Sequence, residues 1–158
     1  MRRCSCPVPA TARRPWPARL TSAALTPARR YLSEQARRPH GPVGLLLSQI
    51  WIRETAAVND TAIELLAPST GERILELGFG PGRALGRLAA NGAEVIGVET
   101  SADMLRSATR RNRADVDTGR IRLHQSDGIN LPVDDHSIDG VISVHTIYFW
   151  PQPEATLA

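Results

Sequence analysis

The chain contains no lysine: all 19 basic residues among its 158 are arginine. Alanine and proline are abundant beside them, so the arginine excess reads as the base composition of a gene rather than as a surface selected for charge. Cysteine is nearly absent. Cys4 and Cys6 both stand close to the N-terminus, whereas a zinc site needs about four ligands. His40, His124, His136 and His145 are scattered and offer no pair at helical spacing, so no metal is expected. The longest apolar run, Val43 to Ile52, is broken by Gly44, Ser48 and Gln49 and falls well short of the about 20 apolar residues that cross a bilayer. A soluble, cytoplasmic protein with no membrane partner is expected.

The N-terminal arm lacks acids. Residues 1–40 hold nine arginines against Glu34, a net of +8, while residues 41–158 hold ten against fifteen acids, a net of −5. The arm also lacks an apolar core of the kind a secretory signal carries, and Pro7, Pro9, Pro15, Pro17 and Pro27 would interrupt the amphipathic helix of a mitochondrial transit peptide. Its only aromatics are Trp16 and Tyr31, and charge without interleaved aromatics or a binding module does not define a nucleic-acid partner. Residues 1–42 are therefore expected to form a disordered, basic, proline-rich extension.

What remains is globular in composition, with 42% hydrophobic and 22% charged residues over the whole chain. From Val43, apolar residues recur at helical spacings through Leu45, Leu46, Ile50, Trp51, Val58, Ala62, Ile63 and Leu66 up to Pro68, which predicts one long or two short helices over 43–68. Arg73 to Leu77 is a short apolar run of the type that forms a buried parallel strand. Helix is expected from about Gly82 to Ala90, ending at Asn91-Gly92, then strand from Glu94 to Val98. Thr100 or Ser101 can cap the next helix, with Asp103 in its first turn and Met104, Leu105 and Ala108 on its apolar face. Further strands are predicted near Ile121 to His124 and from Ile138 to Val144. Alternating strands and helices imply an α/β, doubly wound, Rossmann-like parallel sheet, whose ligands bind outside the carboxyl ends of the strands.

Three motifs fall at those ends. Glu76-Leu77-Gly78-Phe79-Gly80-Pro81-Gly82 puts glycines between the first strand and a helix, where missing Cβ atoms admit a ligand to the backbone. A dinucleotide fingerprint would place glycine where this chain has Arg83, which argues against NAD or FAD. Glu99 ends the second strand, where a carboxylate can accept from two ribose hydroxyls. Ser126-Asp127-Gly128 follows the third, where a carboxylate can accept from an adenine amino group and a neighbouring amide can donate to a ring nitrogen. Asp-Gly alone is also an ordinary turn.

In these segments, ILELGFGPGRAL, VIGVETSADMLRSA and HQSDGINLPVDDHSIDGVISVHTIYFWPQPEATL, the chain resembles the class I S-adenosylmethionine-dependent methyltransferases, within the group carrying the methyltransferase type 11 domain. The resemblance implies that S-adenosylmethionine is the cofactor, its methionine part held by Glu76, Gly78, Gly80 and Gly82, its ribose by Glu99, and its adenine by Asp127, Gly128 and Ile129. It further implies in-line methyl transfer to a small-molecule acceptor, with residues from His145 to Tyr148 beside the methyl group. His145 or Tyr148 would be the general base where the acceptor must lose a proton; the other reading is that His145 lines the pocket and Tyr148, Phe149 and Trp150 pack. By the same resemblance the helices before the first strand cover the cofactor or help form the acceptor pocket, although Trp51 and Asn59 also suit simple core packing. About four strands are present where the family's sheet has about seven, so residues 69–158 are expected to be a partial domain, and a non-catalytic cofactor-binding fragment is the alternative reading.

Overall fold

The computed structural model describes residues 26–149; the expectations for Cys4, Cys6, Trp16 and Trp150 lie outside them. Three helices come first: α1 (Pro27–Arg37), α2 (Gly41–Glu54) and α3 (Ala56–Leu66). The helix α1 departs from the expected disordered arm. Pro27 occupies the first turn of α1 and Pro42 the first turn of α2, where a missing N–H removes no intrahelical bond and a fixed φ favours helix. Proline here starts helices rather than breaking them. The buried Gln35 then secures the α1–α2 turn, its Oε1 accepting from the His40 amide at 3.0 Å.

The remaining elements keep the predicted order of strands and helices, with a short α6 and a 3-10 turn added: β1 (Arg73–Leu77), α4 (Arg83–Ala90), β2 (Glu94–Glu99), α5 (Ala102–Arg111), α6 (Arg113–Asp117), β3 (Ile121–Gln125), β4 (Gly140–Ile142) and a 3-10 turn at Ile147–Phe149. All strand pairs are parallel, in the order β3-β2-β1-β4. The chain steps outward from β1 to β3 and then returns to the other side of β1, so the strand order reverses between β1 and β4. The expected strand over 138–144 pairs only at 140–142. At its end Ser143 donates its hydroxyl to the Leu77 carbonyl at 3.1 Å, and this side-chain bond takes the place of the next ladder bond as the backbone turns away.

Strand alternation separates two faces. Ile74, Val95 and Ile121 join Leu85, Leu88 and Ala89 of α4 and Ala108 of α5 in the main core, with Ile63 of α3 added. Leu75, Leu77, Ile96 and Val98 face the opposite way, against Leu131, Val133 and Ile138 of the β3–β4 connection. Gly97 is set by packing: a Cβ there would stand 2.7 Å from Phe79 and 2.9 Å from Leu123. A strand glycine of this kind marks a close approach, and here it lets Phe79 fold down under the glycine loop. Among the described residues, no helix is long and apolar enough to cross a membrane.

Candidate functional site

The carboxyl ends of β1, β2 and β3 open into one cleft of about 1230 Å³. Glu76, the fourth residue of β1, points to the main-core face yet lies beneath this opening and is 6% exposed. Its Oε2 is buried without a hydrogen-bond partner. Burial, and then the neighbouring Glu99 carboxylate, push its pKa up to about 8.

Past β1 the chain runs through left-handed backbone at Gly78, Gly80 and Gly82, with φ of 73°, 53° and 78°, which glycine adopts without steric cost. The three do different work. A Cβ on Gly78 would collide with Thr146, one on Gly82 would come within 2.6 Å of Ala108 of α5, and one on Gly80 would meet nothing. Gly78 and Gly80 line the cleft, whereas Gly82 packs away from it. The amide of Gly80 donates to Glu99 Oε2 at 3.0 Å, while Glu99 Oε1 accepts from the Ser101 amide at 2.9 Å and the Thr100 hydroxyl at 3.2 Å. Glu99 thus ties the glycine loop to the start of α5, where Ser101 caps the helix by accepting from the Met104 amide.

At the end of β3, Asp127 Oδ1 accepts from the Ile129 amide at 3.0 Å, and the Gly128 amide donates to Ser126 Oγ at 3.3 Å. Asp127 and Gly128 line the cleft; Ile129 does not, and it touches the site through the amide that holds Asp127. His145 lines the cleft with left-handed backbone at φ 60°, a conformation in which non-glycine residues concentrate at functional positions. The side chain of Tyr148 lies outside the described residues. Trp51 of α2 and Asn59 of α3 line the cleft, as do Arg30, Arg37 and Arg38 at and after α1. Among the described residues no cluster of His, Cys, Asp or Glu could hold a metal.

Two supporting residues have no sequence signature. Asn112, buried between α5 and α6, donates to the carbonyls of Gly82 at 2.9 Å and Ala108 at 3.0 Å, closing the glycine loop onto α5. Asp60 of α3 accepts from Arg83 at 2.6 and 3.0 Å and pairs with Arg87 at 2.8 Å; the Arg83 hydrogen bond leads the causes that hold its carboxyl below the ordinary range. Arg83, conspicuous in the sequence only as a missing glycine, is the clamp between α3 and the helix that follows the loop.

A family profile described as a methyltransferase domain matches residues 75–158. The chain is similar to a demethylmenaquinone methyltransferase of Clavibacter sepedonicus, 41% identical over 76 residues that make up 48% of this chain and 30% of the relative. It is also similar to an uncharacterised methyltransferase of Bacillus subtilis, 31% identical over 108 residues, 67% of this chain and 58% of the relative. Of solved structures, one in the complex between the Haloferax volcanii Trm112 methyltransferase activator and the putative methyltransferase aligns with a TM-score of 0.62 at 27% identity, over 70% of this chain and 48% of that one. The chain spans about a third of the length of several of its curated relatives, 30% and 35% in two cases.

Proposed function

The chain belongs to the methyltransferase-domain family, and from that premise we propose that it binds S-adenosylmethionine and transfers its methyl group to a small-molecule acceptor. The observation that carries this reading is Glu76, which lines the cleft and holds a buried carboxyl oxygen, Oε2, without a partner. A buried acceptor without a donor is costly, and the ammonium of a methionine moiety is a donor of the right charge. Gly80, with open space where a Cβ would stand, gives that moiety access to the backbone. Glu99 suits the ribose and Asp127 with Gly128 the adenine, each at the end of its own strand as ligand sites in such sheets lie.

When bound, S-adenosylmethionine supplies a methyl group on a sulfonium. The chain's own contribution is then mainly alignment and exclusion of water, which in well-oriented systems is equivalent to effective molarities of about 10⁵ M or more. His145, on the loop after β4, is the candidate to take a proton from an acidic acceptor, with Tyr148 the other candidate. The Clavibacter relative carries the name of a quinone methyltransferase, which favours a small organic acceptor here.

Incubating the protein with S-adenosylmethionine labelled in the methyl group and a bacterial extract tests the proposal. Label should enter the low-mass organic fraction, and His145→Gln should lower the rate at which it does so. Label confined to RNA or protein would contradict a small-molecule acceptor.

A further inference from the structure

Single drug-sized ligands occupy clefts of about 300–1,000 Å³, and the cleft here, at about 1230 Å³, is larger. Its lining divides by charge: the strand ends contribute Glu76, Glu99 and Asp127, whereas the segment at and after α1 contributes Arg30, Arg37 and Arg38 beside the single acid Glu34. On α1 the lining residues are Ala36 and four polar ones, Arg30, Ser33, Glu34 and Arg37, which follow the i, i+3, i+4, i+7 spacing of one helical face. These four side chains border the cleft while remaining exposed, and the residue that α1 buries is Gln35. None of the ion pairs among the described residues engages Arg30, Arg37 or Arg38, whereas Arg83, the fourth arginine of the cleft, is taken by Asp60.

The basic wall is also fastened to the cofactor side. The Ser101 hydroxyl donates to the Pro39 carbonyl, and the Gly41 amide donates to Asp103 Oδ2 at 2.8 Å. Both bonds reach the first turn of α5, directly after Glu99, across 62 residues of sequence. Gene composition can account for how many arginines the chain has; it does not account for three of them lining one cleft behind a hydrogen-bonded strap. Guanidinium groups match carboxylate and phosphate oxygens in bidentate geometry.

We propose that Arg30, Arg37 and Arg38 form an anion-recognition wall that selects a methyl acceptor bearing a carboxylate or phosphate group. The word acceptor rests on the methyltransferase reading; the anion site does not. The test is titration calorimetry of the full chain with phenyl phosphate, benzoate and uncharged benzyl alcohol, each with and without saturating S-adenosylhomocysteine. The two anions should bind at least tenfold more tightly than benzyl alcohol, and the tighter of the two identifies the group recognised. The double variant Arg37→Gln, Arg38→Gln should lose at least tenfold in anion affinity and Arg30→Gln at least threefold, while Arg113→Gln, on the exposed α6, should bind as the parent does. Equal binding of anions and benzyl alcohol, or unchanged anion binding in the double variant, would overturn the proposal. So would displacement of phenyl phosphate by RNA oligomers with affinity that climbs with their length, since that marks a polyanion surface. Anion binding that persists when S-adenosylhomocysteine fails to bind would support the wall and count against the cofactor reading alone.

Discussion

Glu76 is the residue whose chemistry departs furthest from the ordinary. In the unfolded chain its carboxyl ionises near 4.5, and in the fold it keeps its proton to about 8. Between those values the unfolded state has released a proton that the folded state still holds, so stability falls as pH rises from about 4.5 to about 8 and levels off above. Urea midpoints at pH 5, 6.5 and 8.5 should show that decline, and Glu76→Gln should flatten it; an unchanged slope in the variant would assign the pH dependence to another group. At this scale the sequence disclosed the acids at the strand ends, because a carboxylate closing an apolar strand is visible as a break in pattern. It did not disclose Asn112 or Asp60, whose partners lie 30 and 23 residues away and whose roles exist only once α4 is packed between α3 and α5. Asn112→Ala removes two buried hydrogen bonds and should cost about 1–3 kcal/mol in urea unfolding, with weaker cofactor binding because the glycine loop loses its anchor.

Among the elements, β1 and β2 are legible because each is a short apolar run bounded by turn residues and buried on both faces. The fourth strand was expected longer than it is, since apolar pattern alone does not reveal that Ser143 caps the ladder by bonding to Leu77. The helix α1 is hidden in the sequence because proline reads as a helix breaker, whereas Pro27 stands in the first turn, where it costs nothing. Gly97 links strand to site. Gly97→Ala would place a methyl group 2.7 Å from the Phe79 ring and 3.0 Å from Leu85, an overpacking of the kind that costs about 1–3 kcal/mol. Because Phe79 belongs to the glycine loop, the variant should lose both melting temperature and affinity for S-adenosylhomocysteine; a loss of the first without the second would separate the core beneath the loop from the loop itself.

Over the whole molecule, charge is divided twice. It divides along the sequence, with a basic arm before an acidic remainder, and again within the cleft lining, with carboxylates from the strand ends and arginines from at and after α1. The parallel sheet explains how residues from distant segments converge: every β-α unit delivers its strand end to the same edge, and the reversal of order between β1 and β4 leaves the gap in which a ligand sits. The central claim is that this edge holds S-adenosylmethionine, with Glu76 and Glu99 as separate anchors. Calorimetric titration with S-adenosylhomocysteine tests it most directly, on the parent chain and on Glu76→Gln and Glu99→Ala. The account predicts micromolar binding by the parent and at least tenfold weaker binding by each folded variant; a folded parent that does not bind, or variants that bind as the parent does, would contradict it.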